Sequence, residues 1–267
     1  MSDRRARAAR TGRQAQVKGV PGTQKLQKVL ADAGLGSRRQ MEALMQAGHV
    51  TVNGTTAAIG TRVGPRDVIK IDGKLLRRTL HDRLPRVLLY YKPEGEIVSR
   101  EDPAGRPSVF DRLPPLRGAK WLTVGRLDFN TSGLLILTTS GDLANRMMHP
   151  RYALEREYAV RILGQLSGEA LARLAAGVRL DDGMARCESI TDAGGEGVNH
   201  WYRLVIREGR KRVVRRMLAA VGHVVSRLIR VRFGSVSLPR QLRRGQFLEL
   251  APRETRRLLA SLDLQSI

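Results

Sequence analysis

Two apolar runs enclose a nine-residue loop, and this arrangement constrains the fold more than any other feature of the chain. Residues 121–124 and 134–139 have the β-branched and aliphatic character of buried strands. The loop between them, residues 125–133, contains one carboxylate, Asp128, among small turn-forming residues. An acid on a loop between two rigid strands is well placed for chemistry. The loop by itself favours a plainer role, an Asx turn in which Asp128 bonds a nearby backbone N–H.

The charge of the chain indicates a polyanionic partner. The 267 residues, enough for two domains, include 48 Lys and Arg against 25 Asp and Glu, a formal net charge of +23. Nucleic acid is the expected partner, and an anionic membrane surface is the less favoured alternative. No apolar run is long enough to cross a bilayer, and residues 1–22 do not have the pattern of a secretory signal. A single cysteine excludes an internal disulfide framework, and scattered histidines make a zinc site unexpected. We therefore expect a cytoplasmic protein that binds neither membrane nor metal.

The N-terminal segment has the composition of a disordered tail. Residues 1–22 carry six basic side chains against one acid, Asp3, and have almost nothing to bury. Such a tail either anchors phosphates non-specifically or keeps the chain in solution. The basic character of the rest of the chain favours the anchor.

A small separate module follows in residues 24–74. Residues 26–33 place apolar side chains at helical spacing. Ser37 begins a second helix, and Gln40 three residues later completes a capping box. The pattern predicts two short helices followed by short strands.

The strands of this module are marked by a turn, and its second helix begins with two cations. Residues 50–52 followed by Asn53 and Gly54 predict a strand that enters a type I′ turn. Arg38 and Arg39 lie in the first helical turn, where the backbone already attracts anions. Two arginines there suit a phosphate ligand, although either one alone could simply be solvated. These motifs resemble the S-four RNA-binding domain, which implies binding to structured RNA through the face that carries Arg38 and Arg39.

The second domain begins after a polar linker and alternates strands with short helices. Residues 87–91 predict a buried strand, and residues 140–148 and 168–178 predict helices. Residues 155–161 alternate like a half-exposed strand, on which Tyr158 is by itself more typical of a core aromatic than of a catalytic one. The glycine-rich residues 193–197 predict a flexible connection.

The most basic segment is residues 203–244, with thirteen Lys or Arg and a single acid. Residues 209–221 have a helical pattern in which Arg212 and Arg216 lie opposite the apolar stripe, in solvent or on RNA. Arg215 lies at the border of the stripe, so its guanidinium could reach a buried carboxylate such as Asp128. A solvated face is the alternative, but this density of like charge repels itself unless a polyanion neutralises it.

The motifs of the second domain together resemble the pseudouridine synthases of the Rsu/Rlu type. Residues 125–135 match the family pattern Gly-Arg-Leu-Asp-x-x-Thr-x-Gly-Leu-Leu. Further matches are the Lys92-Pro93-x-Gly95 turn, the His149-Pro150 step, the strand around Tyr158 and the helix over residues 209–217. Segments 90–96, 102–114 and 194–202 resemble those members of the family that act on the large ribosomal subunit.

The resemblance implies a site and a reaction. Asp128 matches the essential aspartate, Tyr158 the tyrosine that packs against the flipped base, and Arg215 the basic residue that pairs with the aspartate. The family's usual Gln or Glu is replaced by Val213, which puts a polar contact there in doubt. The implied reaction isomerises a uridine within large-subunit ribosomal RNA by a base-flipping mechanism that uses the aspartate, on either the ribose or the base, and needs no cofactor or metal. Further RNA contacts are assigned to Lys92, Arg126, Arg212 and Arg216.

The sequence thus predicts an α+β protein. The expected domains are a basic tail (1–22), an S-four-type RNA-binding domain (23–75), a linker (76–85), a catalytic domain with a mixed, mainly antiparallel sheet and flanking helices (86–255), and a C-terminal extension (256–267). We expect a monomer that acts on a structured stem-loop. The alternatives are the same chemistry on another ribosomal RNA uridine, or a non-catalytic RNA-binding assembly factor in which Asp128 is structural.

Overall fold

The computed structural model describes residues 22–77, 84–116 and 118–264. It separates into two compact units with the boundary between Thr79 and Leu80. The predicted basic tail, apart from Gly22, and most of the predicted linker lie outside the described residues. No helix in the described ranges is both long enough and apolar enough to cross a membrane.

The first unit packs two helices against short strands. Its helices are α1 (Leu26–Asp32) and α2 (Arg38–Gln46). Its strands are β1 (Gln24–Lys25), β2 (Val50–Val52), β3 (Thr55–Thr56), β4 (Arg62–Val63), β5 (Ile69–Ile71) and β6 (Lys74–Leu75). The strands form a four-stranded sheet in the order β3-β2-β5-β6 and a separate β1-β4 pair.

Local sequence signals account for this unit well. The capping box of α2 is present, with the Ser37 hydroxyl accepting from the Gln40 backbone and the Gln40 side chain accepting from the Ser37 N–H. Asn53 and Gly54 both have positive φ, which a type I′ turn requires at its two central positions. The predicted helices and turn are therefore confirmed.

The second unit is built on one large sheet. Its strands are β7 (Val87–Lys92), β8 (Leu122–Val124), β9 (Ser132–Thr138), β10 (Arg156–Leu163), β11 (Val178–Leu180), β12 (Gly183–Ala185), β13 (Ser189–Glu196), β14 (Asn199–Ile206), β15 (Val225–Phe233), β16 (Val236–Ser237) and β17 (Phe247–Glu249). Nine of them form the sheet, in the order β13-β14-β10-β15-β9-β7-β17, with β8 beside β9 and β16 beside β15. Within this sheet only the β9–β15 pair is parallel. The predicted mixed, mainly antiparallel sheet is confirmed.

Helices cover this sheet and close its core. They are α3 (Gly141–Met148), α4 (Gly168–Ala176), α5 (Val213–Ala220) and α6 (Pro252–Ala260), with 3₁₀ turns at Val109–Arg112 and Pro150–Tyr152. Every residue of β9 is buried, because its two faces pack into two different clusters. This strand leads directly out of the Asp128 loop, so the loop is attached to the most buried part of the sheet.

Three sequence predictions for this unit need correction. Residues 193–197 are not a flexible connection, because β13 runs to Glu196 and pairs with β14 in a hairpin. The helix predicted from residue 209 begins only at Val213. The predicted C-terminal extension from residue 256 starts inside α6, whose Leu258 and Leu259 belong to a buried core cluster.

Candidate active site

The loop between β8 and β9 is a tight turn fixed by its own backbone. The Thr131 N–H donates to the Asp128 carbonyl at 3.0 Å. Leu127 and Thr131 are buried on either side, whereas Asp128 is half-buried. Among the described residues none donates a hydrogen bond to the Asp128 carboxylate, so the Asx turn favoured by the loop sequence does not form. The carboxylate is left available on a rigid support.

The buried side chain of Lys92 anchors the loop that carries Asp128. The Lys92 ammonium donates to the carbonyl of Thr131 at 2.9 Å and lies 3.5 Å from that of Phe129. It also donates to the carbonyl of Pro93 at 2.8 Å. The Phe129 carbonyl accepts a second hydrogen bond, of 3.0 Å, from the Gly95 N–H. The Lys92-Pro93-x-Gly95 turn is therefore a clamp on the loop that carries the acid.

This position of Lys92 corrects one prediction. The side chain was expected to contact RNA, but it is 0% exposed and its donors are used on carbonyl groups. Burial lowers the pKa of Lys92 from 10.5 to about 8, while the nearby carboxylates of Glu96, Glu94 and Asp128 oppose that lowering. Lys92 therefore supplies positive charge behind Asp128 rather than on the protein surface.

Arg215 contacts the same loop from the other side. Its Nη2 donates to the Asn130 carbonyl and its Nη1 to the Val225 carbonyl, both at 2.8 Å. No ion pair joins it to Asp128 in the part of the chain that the structure describes, so the expected direct pairing is replaced by backbone contacts. Burial and the neighbouring Arg212 lower the pKa of Arg215, and Asp128 raises it. Arg215 is thus near enough to attract the carboxylate while it positions the loop.

Asp128 faces a cavity of about 1300 Å³ within the second unit. This volume exceeds the roughly 300–1,000 Å³ that is usual for a pocket holding one small ligand. Its walls come from the segment before the 3₁₀ turn at Val109–Arg112, the Asp128 loop, β10, the segment preceding α5, and β15. The predicted residues Asp128, Tyr158, Arg126 and Arg212 all line it. No group of three or more His, Cys, Asp or Glu able to hold a metal occurs among the described residues.

Tyr158 forms part of the cavity wall from the middle of the sheet. It lies on β10 directly opposite Arg230 of β15, so both side chains share one face of the sheet. Tyr158 is buried except for a small fraction of its surface, and that surface borders the cavity. An aromatic ring at this position offers a flat apolar wall to whatever occupies the cavity beside Asp128.

Two buried arginines, which no sequence motif singles out, support this wall. Arg230 and Arg156 both line the cavity and both place their guanidinium groups over the Phe233 ring, at 5.1 and 4.6 Å from its centroid. Burial lowers the pKa of each, and the nearby Tyr158 opposes the lowering. Arg230 Nε donates to the Leu134 carbonyl at 2.8 Å, whereas its Nη2 is buried with no hydrogen-bond partner among the described residues.

Close packing of the backbone fixes Arg230. A Cβ at Gly133 would overlap the backbone of Arg230, where β9 and β15 run parallel. Gly133 also has φ +106, a conformation that L side chains rarely adopt. The sequence signal for the burial of Arg230 was the two-residue periodicity of a strand, which places Arg230 on the same face as Leu228. The many exposed cations around Arg230 obscured that signal.

The other predicted RNA contacts differ in their surroundings. Arg126 and Arg212 are exposed at the cavity, and Arg212 has φ +52 immediately before α5. Arg216 is bound by both of its terminal nitrogens to Asp182, at 2.9 Å each, so its charge is already paired within the protein. In the first unit Arg38 and Arg39 are exposed at the first turn of α2, as the sequence predicts.

Comparison with protein-family models adds a decisive observation. The model of the RNA pseudouridylate synthase family matches residues 86–220, half of the chain, and the S4 domain model matches residues 24–69. The chain belongs to the RNA pseudouridylate synthase family. The family match contains Asp128, Tyr158 and Arg215, and the S4 match contains Arg38 and Arg39.

Individual members of the family are similar over most of the chain. Ribosomal large subunit pseudouridine synthase B of Escherichia coli strain K12 is 54% identical over 245 residues, which cover 91% of this chain and 84% of that protein. The protein of the same name from Yersinia pestis is 52% identical over 249 residues, covering 91% and 78% respectively. A crystal structure of a pseudouridylate synthase aligns with a TM-score of 0.61 and 25% identity, over 88% of this chain and 99% of the other.

Proposed function

We propose that this pseudouridine synthase isomerises a specific uridine to pseudouridine in large-subunit ribosomal RNA. The observation that carries the proposal is the Asp128 carboxylate, held on a clamped turn at a large cavity whose wall contains Tyr158. Similarity to the large-subunit pseudouridine synthases B of Escherichia coli and Yersinia pestis supports the choice of RNA.

The reaction rearranges bonds without adding or removing atoms overall. The bond from the ribose carbon to the base nitrogen breaks, the base turns, and the same ribose carbon forms a bond to a base carbon. That base carbon loses its proton, and the released nitrogen gains one. An ionised carboxylate beside the reacting groups serves this chemistry, either as a nucleophile or by stabilising developing positive charge. Asp128 supplies that carboxylate.

The base must leave its stack in the RNA to reach Asp128. Unstacking costs a few kcal/mol, which an aromatic surface in the protein offsets. Tyr158 provides this surface from a largely buried position on the sheet, opposite Arg230. Its hydroxyl, which lies beside Arg230, is one candidate for receiving the proton from the base carbon.

The cations divide into positioning groups and RNA contacts. Lys92 and Arg215 act on Asp128 through the loop carbonyls that they bind. Arg126 and Arg212, exposed at the cavity, contact phosphates of the bound RNA, and Arg38 and Arg39 contact phosphates from the S4 domain. The RNA is a structured stem-loop, and the enzyme works as a monomer in the cytoplasm.

Mapping of pseudouridines on ribosomal RNA tests the proposal. Cells with and without this gene are compared by chemical labelling of pseudouridine and reverse-transcription stops. One large-subunit stop should disappear on deletion, return with the wild-type gene and remain absent with Asp128→Asn. A lost stop in the small subunit would move the target to another RNA. An unchanged map would leave a non-catalytic RNA-binding factor as the better description.

A further inference from the structure

We infer that Phe129 is a stacking platform for an unpaired base next to the target uridine. The inference rests on the proposed function, because it assigns a second RNA subsite within the same cavity. Phe129 directly follows Asp128 and lines the cavity, yet 39% of its surface is exposed. Its subsite is separate from Tyr158, which faces the target base.

Hydrogen bonds to its carbonyl fix the backbone of Phe129. Its carbonyl accepts from the Gly95 N–H at 3.0 Å and faces the Lys92 ammonium. Leu127 and Thr131, two residues away on either side, are buried. Because the backbone is already held, only the two side-chain torsions of Phe129 remain to be ordered on binding, which limits the entropic cost of using it as a platform.

Arg106, on the neighbouring wall of the cavity, lies beside the Phe129 ring. The Arg106 guanidinium lies 5.9 Å from the Phe129 ring centroid. Asp102 fixes it with hydrogen bonds of 2.9 and 2.7 Å to Nε and Nη2, and also accepts from its backbone N–H. Arg106 and Asp102 both line the cavity. A flat cation beside an exposed aromatic ring is the combination that binds nucleobases by stacking, with no preference for sequence.

The size and charge of the cavity favour a nucleotide as the occupant. At about 1300 Å³ the cavity has room beyond the target nucleoside. Arg126, Lys211 and Arg212 also line it, so phosphates on both sides of the target can be neutralised. A base displaced from its helical stack together with the target uridine needs a new stacking partner, and Phe129 is an exposed ring within reach of the Asp128 site.

Variants of Phe129 test the inference, with Phe247 as a matched control. Phe247 is 40% exposed on β17 and does not line the cavity. The substrate is a stem-loop RNA carrying the uridine identified by pseudouridine mapping. Phe129→Ala should raise KM by about 5- to 150-fold, the range expected for losing one base–aromatic stack, with kcat less affected. Phe129→Trp should retain wild-type KM, Phe129→Leu should resemble Phe129→Ala, and Phe247→Ala should change neither constant.

An abasic RNA completes the test. Removing the base on one side of the target should raise KM for the wild-type enzyme but have little further effect on Phe129→Ala. The inference would be overturned if Phe129→Ala and Phe247→Ala had equal KM and kcat values. It would also be overturned if Phe129→Leu had the wild-type KM, or if the effects on KM of Phe129→Ala and of removing the base were fully additive. If the wild-type enzyme converts no uridine, the proposed function itself fails, which this comparison separates from failure of the subsite alone.

Discussion

Arg215 donates a 2.8 Å hydrogen bond to the backbone carbonyl of Asn130, two residues beyond Asp128. A second hydrogen bond, to the carbonyl of Val225, fixes the other arm of the same guanidinium. The arginine therefore acts on the position of the loop as well as on the charge of the carboxylate.

Arg215→Lys should lower kcat by about 10- to 100-fold while KM for RNA stays nearly unchanged. A lysine keeps the charge, but a single ammonium cannot reproduce the two-armed contact, and small displacements of a reacting group are costly. Single-turnover conversion of RNA measures the effect. Arg216→Lys is the control, because the guanidinium of Arg216 binds Asp182 and not the loop that carries Asp128. Full activity in Arg215→Lys would mean that charge alone suffices.

Asp128→Asn should reduce pseudouridine formation by at least about 10³-fold, because the amide neither attacks carbon nor balances positive charge. RNA affinity should remain within a few-fold of the wild-type value, since the carboxylate contributes no attraction to phosphate. Tritium release from RNA labelled at the uracil carbon that forms the new bond measures turnover, and filter binding measures affinity. Asp181→Asn, an exposed acid outside the cavity, is the control. Normal turnover in Asp128→Asn would refute the assignment of the acid.

Lys92 should give the enzyme a pH dependence with opposite signs for stability and activity. Its pKa is lowered from 10.5 to about 8 by burial, so between these values the folded state binds fewer protons than the unfolded state. The contribution of this group to the free energy of unfolding therefore grows as pH rises through that window. The rate should fall over the same window, because the neutral amine loses its attraction for Asp128 and binds the loop carbonyls less strongly.

Single-turnover rates between about pH 7 and about pH 10 test this behaviour. The wild-type profile should descend with a midpoint near pH 8, as the pKa of Lys92 requires. Lys92→Met should be slower throughout and should lack that descent. A descent that persists in Lys92→Met would assign it to a different group.

Arg38→Ala combined with Arg39→Ala should weaken RNA binding and flatten its salt dependence. Each phosphate contact contributes about 0.7–0.9 to the slope of log K against log salt, so losing two should reduce the slope by roughly 1.4–1.8. The conversion rate at saturating RNA should hardly change, because these arginines belong to the unit that does not contain the cavity. Arg66→Ala, a single exposed cation of the same unit, should alter the slope less. Identical slopes for the double variant and the wild type would contradict the assignment.

Gly133→Ala should destabilise the second unit strongly. The new Cβ would overlap the backbone of Arg230, and φ +106 is unfavourable for alanine. Gly222→Ala also meets a positive φ, +87, but has open space around the position. The first change should therefore cost at least about 2 kcal/mol more than the second in the free energy of unfolding, measured with urea. An equal loss in the free energy of unfolding for the two variants would mean that the backbone shifts easily where β9 pairs with β15.

The sequence predicted those parts of the molecule that depend on local signals. The capping box of α2, the Asn53-Gly54 turn and the strands on either side of Asp128 are each specified by neighbouring residues, and the structure contains all of them. The fold class also followed, because the family motifs extend through most of the chain.

Long-range contacts were beyond sequence reasoning. Lys92 looked like a surface cation in a turn, and only the three-dimensional path of the Asp128 loop supplies the carbonyls that bury its ammonium. Arg230 looked like one basic residue among many, because its burial depends on the parallel pairing of β15 with β9. Arg215 was expected to pair with a carboxylate, whereas the position of Asn130 offers it a carbonyl. In each case the deciding partner is distant in sequence.

Those distances have a consequence for the order in which the protein is made and folded. The Asn130–Arg215 hydrogen bond spans 85 residues, and the Leu134–Arg230 hydrogen bond spans 96. Contacts of such separation form late, because the intervening chain must first be synthesised and its loop closed. While the ribosome is still translating the first half of the second unit, the Asp128 turn has neither its arginine clamp nor the central parallel strand pair. A nascent chain therefore carries the acid long before it carries the residues that organise the site around it.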